Sequence, residues 1–440
     1  MAYLQQVLFL AVFALAGFLL LRRIRFIKAS INLGKPRSLT DNKRARLRNL
    51  LLVAFGQKKM FKKPIPAILH LFVYLGFLII NLEVMEFIID GAVGTHRIFA
   101  PYLGSFYTVI MNFFEFLAVA VLVSCLLFLI RRNLIKIPRF HNPEMKSWPF
   151  LDANLILITE IMLMLAILNM NATDQVLQAN GSQNYIETGG LFFSSLFMPL
   201  YNSLSISALI VLERGFWWIH IVGILAFAVY VTYSKHLHIF LAFPNTYYAS
   251  LNPRGEIDNM DSVTNEVKIM LGLQPADKET PPPEEIGRFG AKDVNDLSWK
   301  NIMDAFTCTE CGRCTAECPA NQTGKKLSPR KIMMDTRDRA EEITRSILNG
   351  GKGLEDGKSL LDDYITREEL NACTTCNACV EACPVMIDPM AIIIDLRRYI
   401  VMEESGAPAE WNAMFQNIET SFSPWKFPPS DRFKWADELK

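Results

Sequence analysis

Apolar residues run in long unbroken stretches through the first 250 positions, and from 251 onward the chain reads as a soluble domain. A helix that crosses a bilayer needs about 20 mostly apolar residues. Leu4–Leu21, Ile65–Ile89, Phe106–Ile130 and Leu155–Asn171 meet that need, and Phe216–Ser234 makes a fifth. Leu191–Leu212 is apolar enough to compete as a sixth. It holds Pro199, Asn202 and several serines, which make it an outer-surface or re-entrant helix. The first run is an uncleaved span: no basic residue precedes it, and Arg22, Arg23 and Arg25 follow it.

Charge in the short loops sets orientation. Arg22 to Lys63 holds 14 basic residues against Asp41 alone, and Arg131 to Lys146 holds five against Glu144. The opposite loops offer Arg97 and Arg214. The N-terminus is therefore expected outside, with both basic loops and the C-terminal half in the cytoplasm.

The soluble half carries two cysteine runs of one spacing: Cys308-x2-Cys311-x2-Cys314-x3-Cys318-Pro319 and Cys373-x2-Cys376-x2-Cys379-x3-Cys383-Pro384. This is the bacterial ferredoxin spacing for two [4Fe–4S] clusters, in which the fourth cysteine of each run serves the other cluster. The expected sets are Cys308, Cys311, Cys314 with Cys383, and Cys373, Cys376, Cys379 with Cys318. Zinc sites use pairs of Cys-x2-Cys without the further cysteines, and disulfides need an oxidising compartment. The 55-residue step from Cys318 to Cys373 is long for a ferredoxin built on hairpins. Ser328–Asn349, Ile365–Ala372 and Pro389–Glu403 have helical character, so an all-helical ferredoxin is expected, like the C-terminal lobe of fumarate reductase iron–sulfur subunits. Cys125, in the third run, reads as a small buried apolar residue.

Ionisable residues inside spans are expensive and default to functional candidates. His70 opens the second run, His220 lies in the fifth, and His236 and His238 follow its end. On a continuous helix, 18 residues complete five turns, so His220 and His238 would share a face about 27 Å apart while His236 points away. His70 lies at the depth of His238, and the two are expected to clamp an inner b-type haem. A second haem on His220 would need His96 to fold inward; otherwise one haem binds and His220 is free to hydrogen-bond a quinone. Glu83, Glu86 and Asp90 are either proton-relay carboxylates or partners of Arg97 and water. His141 sits in a basic loop as an ordinary interfacial side chain.

Residues 1–250 resemble the cytochrome b (gamma) subunit of respiratory nitrate reductase, which has five spans and histidines on its second and fifth. That family has two histidines on span two, where this sequence has His70 alone. Residues 290–440 resemble the iron–sulfur subunit of heterodisulfide reductases. The whole arrangement is similar to bacterial membrane-bound heterodisulfide reductase-like proteins, including electron-transfer-flavoprotein:menaquinone oxidoreductases. Phe216-Trp-Trp-Ile-His220, Ser234-Lys-His-Leu-His-Ile239 and Ser423-Pro-Trp-Lys-Phe-Pro-Pro-Ser-Asp-Arg432 with Trp435 carry this likeness. It implies an all-α fold, a five-helix transmembrane cytochrome b-like bundle followed by a cytoplasmic α-helical ferredoxin domain. It also implies a bacterial inner-membrane protein passing electrons between a cytoplasmic partner, such as electron-transfer flavoprotein, and menaquinone. The alternatives are a thiol/disulfide-linked electron-transfer subunit and a redox sensor or scaffold that turns over nothing. Longer members carry Cys-Cys-Gly modules; none occurs here, so that module is expected as a separate partner protein.

The expected organisation is a haem-binding membrane domain over 1–250, a linker over 251–291 with Pro281-Pro-Pro283, a two-cluster domain over 292–405, and a tail over 406–440. The tail is rich in aromatics, which suit either a partner interface or packing on the cluster domain. With 45 Lys and Arg against 44 Asp and Glu among 440 residues, the chain lacks the basic excess of a nucleic-acid binder. No glycine-rich nucleotide loop or nucleophilic triad is evident, so the primary substrate is expected to react on a partner.

Overall fold

The computed structural model describes residues 2–253, 255–275 and 288–439. The Pro281–Pro283 run lies outside them. Five long apolar helices form the first half: α1 (Ala2–Ile31), α2 (Pro64–Val93), α3 (Ser105–Asn133), α4 (Trp148–Ala179) and α5 (Ile206–Val231). Each is long and apolar enough to cross a membrane. Helices α2 to α5 pack in sequence order, and α1 closes against α2 and α5. Phe9, Phe87, Val121, Ile167, Trp217 and Ile221 fill the centre, and Cys125 is fully buried there.

The segment Leu191–Leu212 is not a sixth span. It forms short 3₁₀ turns at Ser194–Leu196 and Met198–Leu200, and its last residues begin α5. Ser205 caps that helix by accepting from the Ala208 N–H. Helix α5 also ends earlier than hydropathy suggests, at Val231. Ser234 is extended, its hydroxyl accepts from the His236 N–H, and the Lys235 N–H donates to Asp152. A 3₁₀ turn, Lys235–Leu237, then leads into α6 (His238–Tyr247). His220 and His238 therefore do not share one helix, and the expected opposition of His236 and His238 does not hold.

The iron–sulfur region is built from α7 (Trp299–Thr307), α8 (Arg313–Ala316), α9 (Pro329–Leu348), α10 (Ala378–Ala382) and α11 (Pro389–Met402). Sequence dictates where they start. Ser298, Ser328 and Asp388 each accept from an N–H of the first turn. Proline follows the last two, where its missing N–H costs nothing. The described residues contain no strand, only isolated bridges at Lys35–Ser298 and Leu361–Ile365.

The two halves are packed together, not spaced apart. Ile27 of α1 and Leu237 share one core with Ile302, Ile332, Ile393 and Leu396. Gly34 is required at this seam, because a Cβ there would lie 2.5 Å from the Trp299 nitrogen. Both basic loops lie on the same side as the iron–sulfur region: Arg330 pairs with Glu144, Lys62 with Glu381 and Lys63 with Glu317. The tail forms α12 (Ala409–Ser421) and does not pack its aromatics back: Phe422, Trp425, Phe427, Phe433 and Trp435 are all exposed.

Candidate functional site: a cavity between cysteine loops and histidines

The two cysteine runs fold into the same loop. The second residue after the first cysteine, Glu310 or Thr375, takes positive φ, and so does the fourth, Gly312 or Asn377. In each loop the N–H of that second residue points at the first cysteine's sulfur at 3.4 Å, Glu310 to Cys308 and Thr375 to Cys373. Glycine and asparagine tolerate the left-handed turn best. Backbone N–H groups aimed at sulfur are what a metal-bound thiolate needs to spread its charge.

The fourth cysteines cross over. Cys308, Cys311, Cys314 and Cys383 line one small void, and Cys318 lies near Cys373 and Cys379. The Cys383 sulfur accepts from the Ile387 N–H at 3.3 Å. Among the described residues no three His, Cys, Asp or Glu side chains gather tightly enough for a bare metal ion; the thiolates of a cube sit around it instead. Burial pushes the Cys308 thiol up to about 12 and the Cys383 thiol up to about 11. Both are neutral thiols until iron displaces their protons. The two sets differ in access, because Cys376 is exposed and Cys308 and Cys383 are buried.

A cavity of about 590 Å³ joins this region to the bundle. That is within the usual range for a ligand or cofactor pocket. Thr309, Glu310, Cys311 and Arg313 wall one end, and His70, His236, His238 and, deeper, His220 line the rest. Arg132, Arg139 and Lys235 add positive charge at the cysteine end. Nε of Arg132 and of Arg139 is buried without a hydrogen-bond partner. Glu310 fixes the seam, held by Lys235 at 2.5 Å and Arg337 at 2.8 Å. Burial would raise Glu310, but these two cations keep it below the ordinary carboxylate value.

The histidines separate by geometry. The rings of His70 and His238 face each other with centroids 6.4 Å apart. Each has Nδ1 engaged, His70 with Gln57 at 3.1 Å and His238 with the Lys235 carbonyl at 3.2 Å. That fixes the tautomer and leaves Nε2 free. His236 lies beside His238, centroids 5.3 Å apart, but its ring makes no such orienting bond among the described residues. Burial, with His238 and His70 close by, holds His236 well below the ordinary imidazole value; burial lowers His238 too, against its bond to Lys235. In both, burial favours the neutral ring, which keeps a nitrogen lone pair. His220 donates through Nδ1 to the Leu163 carbonyl, 3.0 Å away, and its buried Nε2 has no partner.

His96 is elsewhere. It lies at the end of the bundle away from the iron–sulfur region, 3.7 Å from Asp174 and 3.8 Å from Glu213, against the Tyr185 ring. It does not line the large cavity, so the structure does not bring it to His220. Its neighbours are structural: Asp90 accepts from the Arg97 and Ile98 N–H groups, and Glu86 from the Phe99 N–H and the Tyr107 hydroxyl. Arg97 turns to Asp174 and Asn171. His141 contacts the Arg132 carbonyl.

Sequence reasoning misses Gln57, Glu310 and the cations Arg132, Arg139, Arg313 and Lys235. Arg132 and Arg139 are visible in sequence only as orientation signals, and nothing local marks Gln57, Glu310 or Arg313.

Comparison with known proteins agrees with the cysteine geometry. Residues 307–387 match the family model for a 4Fe-4S dicluster domain. The chain is 28% identical to a probable iron-sulfur-binding oxidoreductase, FadF, of Bacillus subtilis, over 98% of this chain and 60% of that protein. It is 25% identical to an EtfAB:quinone oxidoreductase of Syntrophomonas wolfei, over 89% of this chain and 54% of that protein. One subunit of a ferredoxin/F(420)H(2)-dependent CoB-CoM heterodisulfide reductase of Methanosarcina acetivorans matches at 33% over 23% of this chain and 49% of that protein. The chain thus spans little more than half the length of the first two relatives. No solved structure gives a significant match.

Proposed function

We propose that this chain is the membrane electron-transfer part of a quinone-linked iron–sulfur oxidoreductase. Electrons enter at the exposed Cys376 side, pass through the cluster of Cys373, Cys376, Cys379 and Cys318 to that of Cys308, Cys311, Cys314 and Cys383, and cross the cavity into the lipid phase. The observation that carries this reading is the cavity walled by both Cys311 and the facing pair His70 and His238.

That pair fits a haem. A metal–imidazole bond of about 2 Å, with about 1 Å more from nitrogen to ring centre, puts two ligating rings about 6 Å apart across one metal. The observed separation is 6.4 Å. His70 and His238 would hold the iron, with Gln57 and the Lys235 carbonyl orienting them. The unpartnered Nε groups of Arg132 and Arg139 suit anionic propionates. A bis-imidazole haem supplies one-electron transfer with no open coordination position.

The basic loops on the iron–sulfur side favour a cytoplasmic location for that side of a bacterial inner membrane. Menaquinone is the proposed acceptor, and electron-transfer flavoprotein or a Cys-Cys-Gly protein the proposed donor. The heterodisulfide reductase match over the cluster region supports a second reading, in which the donor handles a disulfide. The test is anaerobic. The intact complex is reduced, and a menaquinone analogue is added. Re-oxidation within seconds, followed in the visible spectrum, is the expected result; an unchanged spectrum would favour a redox sensor instead.

A further inference from the structure

We propose that Glu160 is a proton site tied to the redox state of the cavity. It takes up one proton from water when the centre held by His70 and His238 gains an electron. The inference rests on the haem reading above.

Among the described residues two carboxylates line the large cavity, Glu160 and Glu310. Glu310 is clamped between Lys235 and Arg337. Glu160 makes neither a hydrogen bond nor an ion pair among the described residues. It lies in the middle of a span, where α4 turns Ala153, Glu160 and Met164 to the cavity on one face. An ionisable group placed there without a structural partner is costly unless it has a task.

Contacts along α4 give its depth. Asp152 accepts from the Lys235 N–H and the Tyr230 hydroxyl, at the level where the histidine segment begins. Glu160 is two helical turns further along, about 12 Å deeper. Leu163, whose carbonyl accepts from His220, is about 4 Å beyond it. Glu160 thus stands between the level of the facing pair and His220, in the same chamber.

Its surroundings are apolar: Phe128, Leu163, Met164 and Ile224 line that part of the cavity. The ionisable groups around it are few. Cys125 faces it from α3. His220 lines the cavity from α5, and Tyr74 and His70 from α2. His236 and His238 line it from the segment after α5. The cations Arg132, Arg139, Lys235 and Arg313 are gathered at the cysteine end.

Charge in such a chamber is poorly screened. With propionates offset by Arg132 and Arg139, the oxidised centre carries one net positive charge, which favours the Glu160 carboxylate. An electron arriving from the clusters cancels that charge. The carboxylate, then unpaired in apolar surroundings, binds a proton. The balance is one electron from the clusters and one proton from water, leaving a reduced centre and a neutral carboxyl; oxidation returns both. Glu160 makes the driving force for the electron depend on pH.

The test is an infrared difference spectrum between the oxidised and reduced intact complex, with haem absorbance followed in the same cell. The C=O stretch of a protonated carboxyl should appear on reduction. Glu160→Gln should lose that band with haem absorbance and cluster iron retained, and Glu160→Asp should keep it at a shifted frequency. The haem midpoint potential should fall as pH rises in the parent protein, and by less in Glu160→Gln. No carboxyl band in the parent, a band unmoved in both variants, or equal pH slopes in parent and Glu160→Gln overturns the proposal alone. A parent protein with no reducible haem overturns the haem reading and this proposal with it.

Discussion

The two ends of the bundle bury similar polar groups and use them differently. At the iron–sulfur end Glu310 is held between Lys235 and Arg337, Arg330 by Glu144, and the rings of His70 and His238 are each oriented by an acceptor on Nδ1. At the far end Glu86, Asp90 and Glu115 are spent on loop N–H groups, while Glu83 Oε1 and His220 Nε2 face no partner. Paired groups hold the architecture. Unpaired groups occur at both ends, Nε of Arg132 and Arg139 at the first and Glu83 Oε1 and His220 Nε2 toward the second, and each is costly to bury.

The largest effect belongs to the facing histidines. His70→Ala or His238→Ala should remove the absorbance of the proposed haem completely, His236→Ala should spare it, and His220→Ala should spare it too. A spectrum that survives both of the first two changes would dissolve the distinction between the ends. Next comes the seam. Glu310→Ala leaves Lys235 and Arg337 facing each other in a buried site. It should cost about 3 kcal/mol, read as a lower temperature of thermal unfolding with faster loss of cluster iron.

A smaller pair of changes sharpens the far end. Glu86→Gln weakens the contacts to Phe99 and Tyr107 and should cost about 1 kcal/mol. Glu83→Gln removes no contact and should leave the unfolding temperature unchanged or higher. Equal losses would mean that Glu83 has a structural partner after all. The smallest effect lies at Asp356. Its hydrogen bond from Arg339 at 2.6 Å holds it at about 2, against an ordinary value of 3.8. A carboxylate depressed in the folded state stabilises it fully above about pH 4 and loses that contribution as pH falls toward 2. Asp356→Asn should flatten that part of an acid titration of stability. Because Arg339 keeps Asp293 at 2.7 Å, the neutral-pH loss should be slight.

What is legible in the sequence is local. Cysteine spacing states its own chemistry, and both runs fold into matching loops because the left-handed turns recur at the same offsets, Glu310 and Gly312 against Thr375 and Asn377. Apolar length yields five helices because nothing but length and composition is needed to cross lipid. The misreadings come from tertiary contacts. Helix periodicity carried through Ser234 misplaces His236, since a bond from the Lys235 N–H to Asp152, 83 positions away, ends the helical path. On sequence alone His96 is free to turn inward, but Asp174 and Glu213 stand beside it at the far end. The clamp on Glu310 joins three distant segments and leaves no local trace. The linker reads as a spacer, yet Ile27 and Leu237 share a core with the cluster helices.

The central claim is that metal centres continue from the cysteine loops into the membrane cavity, and a cofactor count tests it most directly. Purified anaerobically, the chain should carry about eight iron atoms in clusters and one b-type haem by pyridine haemochrome, with a low-spin spectrum that sharpens on reduction. A protein with its full cluster iron and no haem would contradict the account.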